Sequence, residues 1–156
     1  MLRLHLLRHA KTEQVSASGK DFDRALMSKG KRQIADLATF FKGLENIDNV
    51  LCSSAKRTRQ TLGALLDSGV SNPIYTDELY LCSSQQMLKV LWHGNFKGDV
   101  LIVGHNFGIS DLATYLTDEL IDLRTGEYIR ISFETDDWME TSRGTGTIEQ
   151  MYRPEV

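Results

Sequence analysis

The chain predicts a three-layer α/β/α sandwich whose central sheet is mainly parallel, with an antiparallel edge. Three observations carry this. Short and almost continuously apolar runs, at Leu2 to Leu7 and in "DVLIVGHN" at Asp99 to Asn106, have the pattern of strands buried on both faces. Segments with apolar residues at helical spacing separate such runs, so strands and helices alternate. The last third then changes period: "YIRISFE" alternates strictly, with Ile129, Ile131 and Phe133 on one face.

Taken in order, the first strand, Leu2 to Leu7, leads into a polar loop that reaches Met27. Ser28 has the character of a helix N-cap. Ile34, Leu37, Phe41 and Leu44 recur beyond it at the spacing of an amphipathic helix. "NVLCSS" at Asn49 to Ser54 is a short second strand. Thr58 to Leu66 continues as a helix with Leu62, Leu65 and Leu66 toward the core, and Gly69 is a plausible stop. A third strand lies near Pro73 to Thr76. Ser83 or Ser84 caps a helix carrying Met87, Val90 and Leu91. The strand at Asp99 to Asn106 precedes a helix through Leu112 and Leu116. "YIRISFE" and "TIEQMY" then pair, after a turn near Gly144 and Gly146, as antiparallel edge strands exposed on one side. Phe40 and Phe41 are expected in the core, and Trp92 and Trp138 in packing roles.

The bulk numbers narrow the function classes. Residues 1–156 have the length of one domain, and 41% hydrophobic with 25% charged residues describes a globular chain. A net charge of -3 gives no general reason to expect a nucleic-acid or membrane partner, so any anion site must be local. Cys52 and Cys82 are too few for a disulfide framework, which favours the cytoplasm. The amino-terminal run is interrupted by Arg3 and His5 and lacks the layout of a signal peptide. No window is long and apolar enough to span a bilayer.

Open α/β sheets bind ligands beyond the carboxyl ends of their strands. Arg8 and His9 end the first strand, Arg57 stands at the mouth of the helix after the second, and His105 follows the strand at Asp99. Two arginines and two histidines, with no carboxylate close by in sequence, suit a phosphoryl group of about -1.5 to -2 charge. Guanidiniums bind its oxygens in bidentate forks. A neutral histidine whose other ring nitrogen donates to a carbonyl can be the nucleophile. A second histidine, if protonated, would stabilise charge in the transition state. Singly, each residue has a plainer reading. Arg8 and His9 could be a solvated strand end, and Arg57, beside Lys56 and Arg59, a solvated helix start. His5 is expected to be packed or hydrogen-bonded within its strand, and His93 to favour a helix C-terminus. The coincidence of four residues at strand ends outweighs these readings.

These residues resemble the histidine phosphatase superfamily, of phosphoglycerate-mutase-like fold. Its R-H-G motif appears as Arg8-His9-Ala10, and its S-P-x-x-R-A-x-Q-T motif as Ser53-Ser54-Ala55-Lys56-Arg57-Thr58-Arg59-Gln60-Thr61. Its G-H motif appears as Gly104-His105, and "DFDRALMSKG" resembles the family's D-x-x-R-x-L-[ST]-x-x-G segment. Ala10 and Ser54 depart from the usual glycine and proline. The short chain, with little room for a lid over the site, looks most like phosphohistidine phosphatases of the SixA type. The resemblance implies a metal-independent phosphatase without cofactors, acting through a phosphohistidine on His9. Arg8, Arg57 and His105 would bind phosphate. It also implies a general acid near Glu78, with Asp77 as its neighbour and rival. The partner would be a phosphorylated protein or a small phosphorylated metabolite.

Other classes fit less well. No C-x5-R loop follows Cys52 or Cys82, and no G-x4-G-K-[ST] run is present. Four scattered histidines and two distant cysteines do not form a zinc site. A small-molecule phosphomonoesterase of the same superfamily is the enzyme alternative, and a non-catalytic phospho-ligand-binding module is the other.

Overall fold

The structure, a computed structural model, describes residues 1–47 and 49–156. Six strands form one sheet in the order β3-β2-β4-β1-β5-β6. They are β1 (Leu2–Arg8), β2 (Asn49–Ser53), β3 (Pro73–Thr76), β4 (Val100–Gly104), β5 (Tyr128–Phe133) and β6 (Gly146–Tyr152). The first four run parallel, β5 is antiparallel to β1, and β6 is antiparallel to β5. The helices are α1 (Ser28–Lys42), α2 (Lys56–Gly63), α3 (Ser84–His93) and α4 (Gly108–Thr117).

Strand alternation sorts the core into two layers. Leu2, Leu4 and Leu6 of β1 join Val100 and Ile102 of β4 against Met87 and Leu91 of α3 and Leu112 and Leu116 of α4. Leu7, Leu101 and Val103, on the opposite face, pack with Leu37 and Phe41 of α1 and Leu62 of α2. Two helices on each face make the predicted three-layer sandwich. Trp138 and Trp92 pack as expected, and their indole N–H groups donate to the carbonyls of Gly98 and Thr141 at 3.1 and 2.9 Å.

Three expectations are corrected, and one left open is decided. Ser28 is the first residue of α1 rather than its cap, because Met27 takes the extended cap conformation and makes no side-chain cap bond. Of the two serines expected to cap α3, Ser83 does so, its hydroxyl accepting from the Gln86 N–H at 3.1 Å. Helix α2 begins two residues earlier than Thr58 and ends at Gly63, which leaves Leu66 exposed rather than in the core. Of the two antiparallel strands only β6 lies at an edge, since β5 is hydrogen-bonded on both sides and Tyr128, Ile129, Ile131 and Phe133 are all buried.

The loop between β1 and α1 is tied to the body. Lys11 N–H donates to Gln33 Oε1 of α1 at 2.8 Å, and Leu26 N–H donates to Gln60 Oε1 of α2 at 2.8 Å. Gly30 allows the first of these contacts, because a Cβ there would lie 2.0 Å from the Lys11 carbonyl oxygen.

Candidate active site

The carboxyl ends of β1, β2 and β4 and the loop at residues 11–24 enclose a cavity of about 760 Å³. Arg8, His9, Arg57 and His105 all line it, as the ends of adjacent parallel strands dictate. Arg8 stands opposite Gly104 in the β1–β4 register, and the His9 N–H donates to the Gly104 carbonyl at 3.1 Å. The rings of His9 and His105 therefore meet, with centroids 5.3 Å apart.

His9 is 7% exposed, and its Nδ1 lies 2.8 Å from the carbonyl oxygen of Ala10. A carbonyl only accepts, so Nδ1 carries the proton and Nε2 keeps its lone pair. Burial, reinforced by the positive charges of Arg57 and Arg8 and only partly opposed by the Ala10 bond, pushes the His9 pKa down to about 3. Its imidazole is neutral near pH 7. Ala10 is itself anchored, its N–H donating to Thr61 Oγ1 at 3.0 Å.

His105 is pushed down to about 3 as well, by burial first and then by His9 and Arg57. It is therefore neutral, rather than the protonated donor that the sequence had left as an option. Its Nε2 lies 2.8 Å from Ser53 Oγ. Ser53 Oγ also accepts the Ala55 N–H at 3.3 Å, so its own proton has one acceptor among the described residues, His105 Nε2. That assigns the N–H to Nδ1, which has no partner among the described residues.

Arg57 is 2% exposed and is held by one residue, Asp21. Its terminal nitrogens donate to the Asp21 carbonyl at 2.9 Å and to Asp21 Oδ2 at 3.0 Å. Tyr80 O–H donates to the same Oδ2 at 2.5 Å, and Arg24 donates to Oδ1 at 3.0 Å. The Tyr80 hydrogen bond, with those from Arg24 and Arg57, holds the Asp21 carboxyl well below the usual carboxylate range despite partial burial. Arg8 donates to the Leu123 carbonyl at 2.9 Å, and burial lowers its pKa without discharging a guanidinium. Arg8 Nε, Arg57 Nε and His105 Nδ1 are buried without partners among the described residues. Three orphaned donors on residues of one cavity suit the oxygens of an anion.

The structure separates Glu78 from these four. Glu78 is exposed on the short turn after β3, where it accepts from Gln86 Nε2 at 3.3 Å, and it does not line the cavity. Asp77 lies on the same turn and is likewise not among the lining residues. The turn carries Tyr80 toward the cavity instead, its ring edge-on to His105 at 5.6 Å. The carboxylates that line the cavity are Glu13 and Asp21, both from the loop. Sequence reading missed the parts played by Asp21, Arg24, Ser53, Thr61 and Tyr80. The motifs containing the first four were visible, but their pairings join segments distant in sequence. Among the described residues, no three His, Cys, Asp or Glu side chains group as a metal site.

Fold and cavity together define a phosphoryl-transfer protein built on a mainly parallel α/β sheet. A profile of the histidine phosphatase superfamily (branch 1) matches residues 4–80, and the chain belongs to this superfamily. An uncharacterized protein of Mycobacterium tuberculosis is 33% identical over 116 residues, covering 70% of this chain and 69% of its own. A structure assigned to the phosphohistidine phosphatase SixA of Nakamurella multipartitia superposes with a TM-score of 0.87 at 26% identity, covering 99% of this chain and 97% of that one. Another assigned to SixA, from Agrobacterium tumefaciens, gives 0.78 at 25% identity and covers 98% of each chain. The protein is a phosphoryl-hydrolysing enzyme of that superfamily, similar in structure to the chains assigned as SixA. Among the described residues, no helix is long and apolar enough to cross a membrane.

Proposed function

We propose that the protein hydrolyses phosphohistidine on a protein partner, through a covalent phosphohistidine of its own at His9. The observation that carries the reading is the Nδ1–H bond from His9 to Ala10, which presents an unprotonated Nε2 in a cavity with orphaned cationic donors. In the first step the Nε2 lone pair attacks phosphorus, and the bond from phosphorus to the substrate imidazole breaks. Arg8 and Arg57 neutralise the oxygens, and the Nδ1–H of His105 donates to one of them. Water then attacks the phosphoenzyme, releasing inorganic phosphate and returning His9 to its starting form.

The acid requirement favours phosphohistidine over a phosphate ester. An alkoxide leaving group needs a proton donor, whereas the imidazole of a phosphoramidate can carry its own proton. Asp21 is held ionised by three donors and is a poor source of that proton. The unpaired thiols of Cys52 and Cys82 accord with a cytoplasmic location, and residues 1–156 act as one domain in this reading. Similarity to structures assigned as SixA adds support.

A substrate panel tests it. Phosphohistidine protein, sugar phosphates and an aryl phosphate are compared by kcat/KM, with acid-quench trapping of labelled enzyme. The reading expects the highest kcat/KM on phosphohistidine and an acid-labile, base-stable adduct that His9→Ala abolishes. Preference for a sugar phosphate would replace it with the phosphomonoesterase reading, and an adduct in His9→Ala would remove His9 as nucleophile.

A further inference from the structure

The same criterion that marks the phosphoryl site, a buried donor with no partner facing a cavity, is met once more. His5 Nε2 is the remaining orphaned buried nitrogen among the described residues, and His5 is 4% exposed. It lines a separate cavity of about 420 Å³ toward the amino ends of the parallel strands. Asp99, just before β4, lines this cavity, whereas His105, just after β4, lines the phosphoryl site. His5 stands opposite Arg130 in the β1–β5 register, and Arg130 stands opposite Gln150 in β5–β6. The carboxyl end of α1 covers the space with Phe40, Gly43 and Leu44.

The tautomer of the His5 imidazole follows from its partner. Tyr128 is fully buried, and its hydroxyl lies 2.7 Å from His5 Nδ1. A phenol is protonated near pH 7 and donates to the acceptor it faces, so Nδ1 accepts and Nε2 bears the N–H. The nearest carboxylate oxygen, Asp99 Oδ2, is 3.8 Å from Nε2, too far for a hydrogen bond. A buried N–H left in that state costs free energy unless a ligand or water accepts it.

The charges around this donor are paired in an unusual way. Arg3 and Arg130 both donate their Nε–H to one oxygen of Glu149, at 2.8 and 3.1 Å. That shared carboxylate draws the two guanidiniums together on the cavity lining. Asp99 and Glu45 add two carboxylates to the lining. The α1 carboxyl end adds partial negative charge, which favours a cation. A simple anion would meet the carboxylates, and a simple cation would meet the guanidiniums. A molecule bearing both charges satisfies each set, with Phe40 and Leu44 as an apolar wall.

We propose that this cavity is a second ligand site that takes a small zwitterion of the free α-amino acid class. Its carboxylate lies against Arg3, Arg130 and the His5 Nε2–H, and its ammonium against Asp99 and Glu45. The site is independent of the reaction assigned to His9.

Calorimetric titration of the full chain with each of the twenty free amino acids tests this, with acetate and methylammonium as single-charge controls. The expected result is saturable binding of one or a few amino acids and none of either control. Arg130→Gln and Asp99→Asn are each expected to weaken that binding at least tenfold, and His9→Ala to leave it unchanged. The Asn side chain retains the oxygen that accepts the Arg3 N–H, so the fold is kept. Absence of binding by every amino acid would overturn the proposal. So would equal binding of acetate, binding unaffected by both cavity variants, or loss of binding in His9→Ala.

Discussion

Ala10 fixes the orientation of His9: its carbonyl oxygen accepts the Nδ1–H of the preceding residue at 2.8 Å. Thr61 of α2 in turn holds the Ala10 N–H. The proposed nucleophile is thus oriented by the chain that carries it and by one hydroxyl from the second motif. Thr61→Val removes that hydroxyl and orphans a buried N–H. The expected cost is about 1–3 kcal/mol of stability. A lower kcat at nearly unchanged KM should accompany it, read by urea unfolding and steady-state kinetics on the same preparation. Unchanged kcat would separate Ala10 from the orientation of His9.

Stability should fall in acid. His9 and His105 have folded pKa values of about 3, below the ordinary value of about 6.5 for an unfolded imidazole. Between those values the unfolded chain takes up protons that the folded chain refuses. Each histidine therefore removes up to about 1.4 kcal/mol per pH unit as pH drops through this window, and neither contributes a slope above it. Urea midpoints between pH 7 and pH 4 should decline, and less steeply in His105→Asn. Identical slopes in the two proteins would show that His105 charges freely in the folded state.

Asp21 has opposing effects on Arg57. It positions the guanidinium, yet places a negative charge on the wall of the proposed phosphate site. Asp21→Asn should therefore lower KM for the phosphorylated substrate while lowering kcat by about tenfold, or about 1.4 kcal/mol. Inhibition by inorganic phosphate should strengthen in parallel. A rise in KM with unchanged kcat would mean that Asp21 binds substrate instead.

Arg57→Lys is not conservative here. The guanidinium satisfies the Asp21 carbonyl and carboxylate together and still leaves Nε unpaired among the described residues, and an ammonium cannot reproduce that fork. A loss of about 10²-fold in kcat/KM is expected, in the range for removing one charge-stabilising donor. Recovery to within a few-fold of the parent would reduce Arg57 to a simple point charge.

Glu78→Gln should change kcat/KM by less than about twofold, since the residue lies on the surface away from the cavity. A loss above tenfold on an aryl phosphate would restore it as the proton donor.

The sequence carried the sandwich and the four strand-end residues, because buried parallel strands are apolar on both faces and their polar ends stand out. Arg8, His9, Arg57 and His105 could be read one by one, each next to its own strand. Asp21 could not, because its partners Arg57 and Tyr80 come from segments that meet only after the sheet forms. Glu78 misled for the opposite reason. It sits close to the right strand end, but the short turn at Asp77–Leu79 directs Tyr80, not Glu78, toward His105. The edge assignment of β5 failed because strict alternation also arises when a half-polar face is covered by Arg130 and Ser132, each only partly exposed.

The ladder between β1 and β4 is the gauge for the reaction. Arg8 is level with Gly104, so the two histidines that follow them stand at the distance between neighbouring strands. A slip of one residue would turn His9 to the opposite layer of the sandwich, since successive side chains alternate faces. The tolerance of the chemistry is therefore set by the apolar contacts of Leu4, Leu6, Leu101 and Val103 deep in the molecule, none of which could ever touch a substrate.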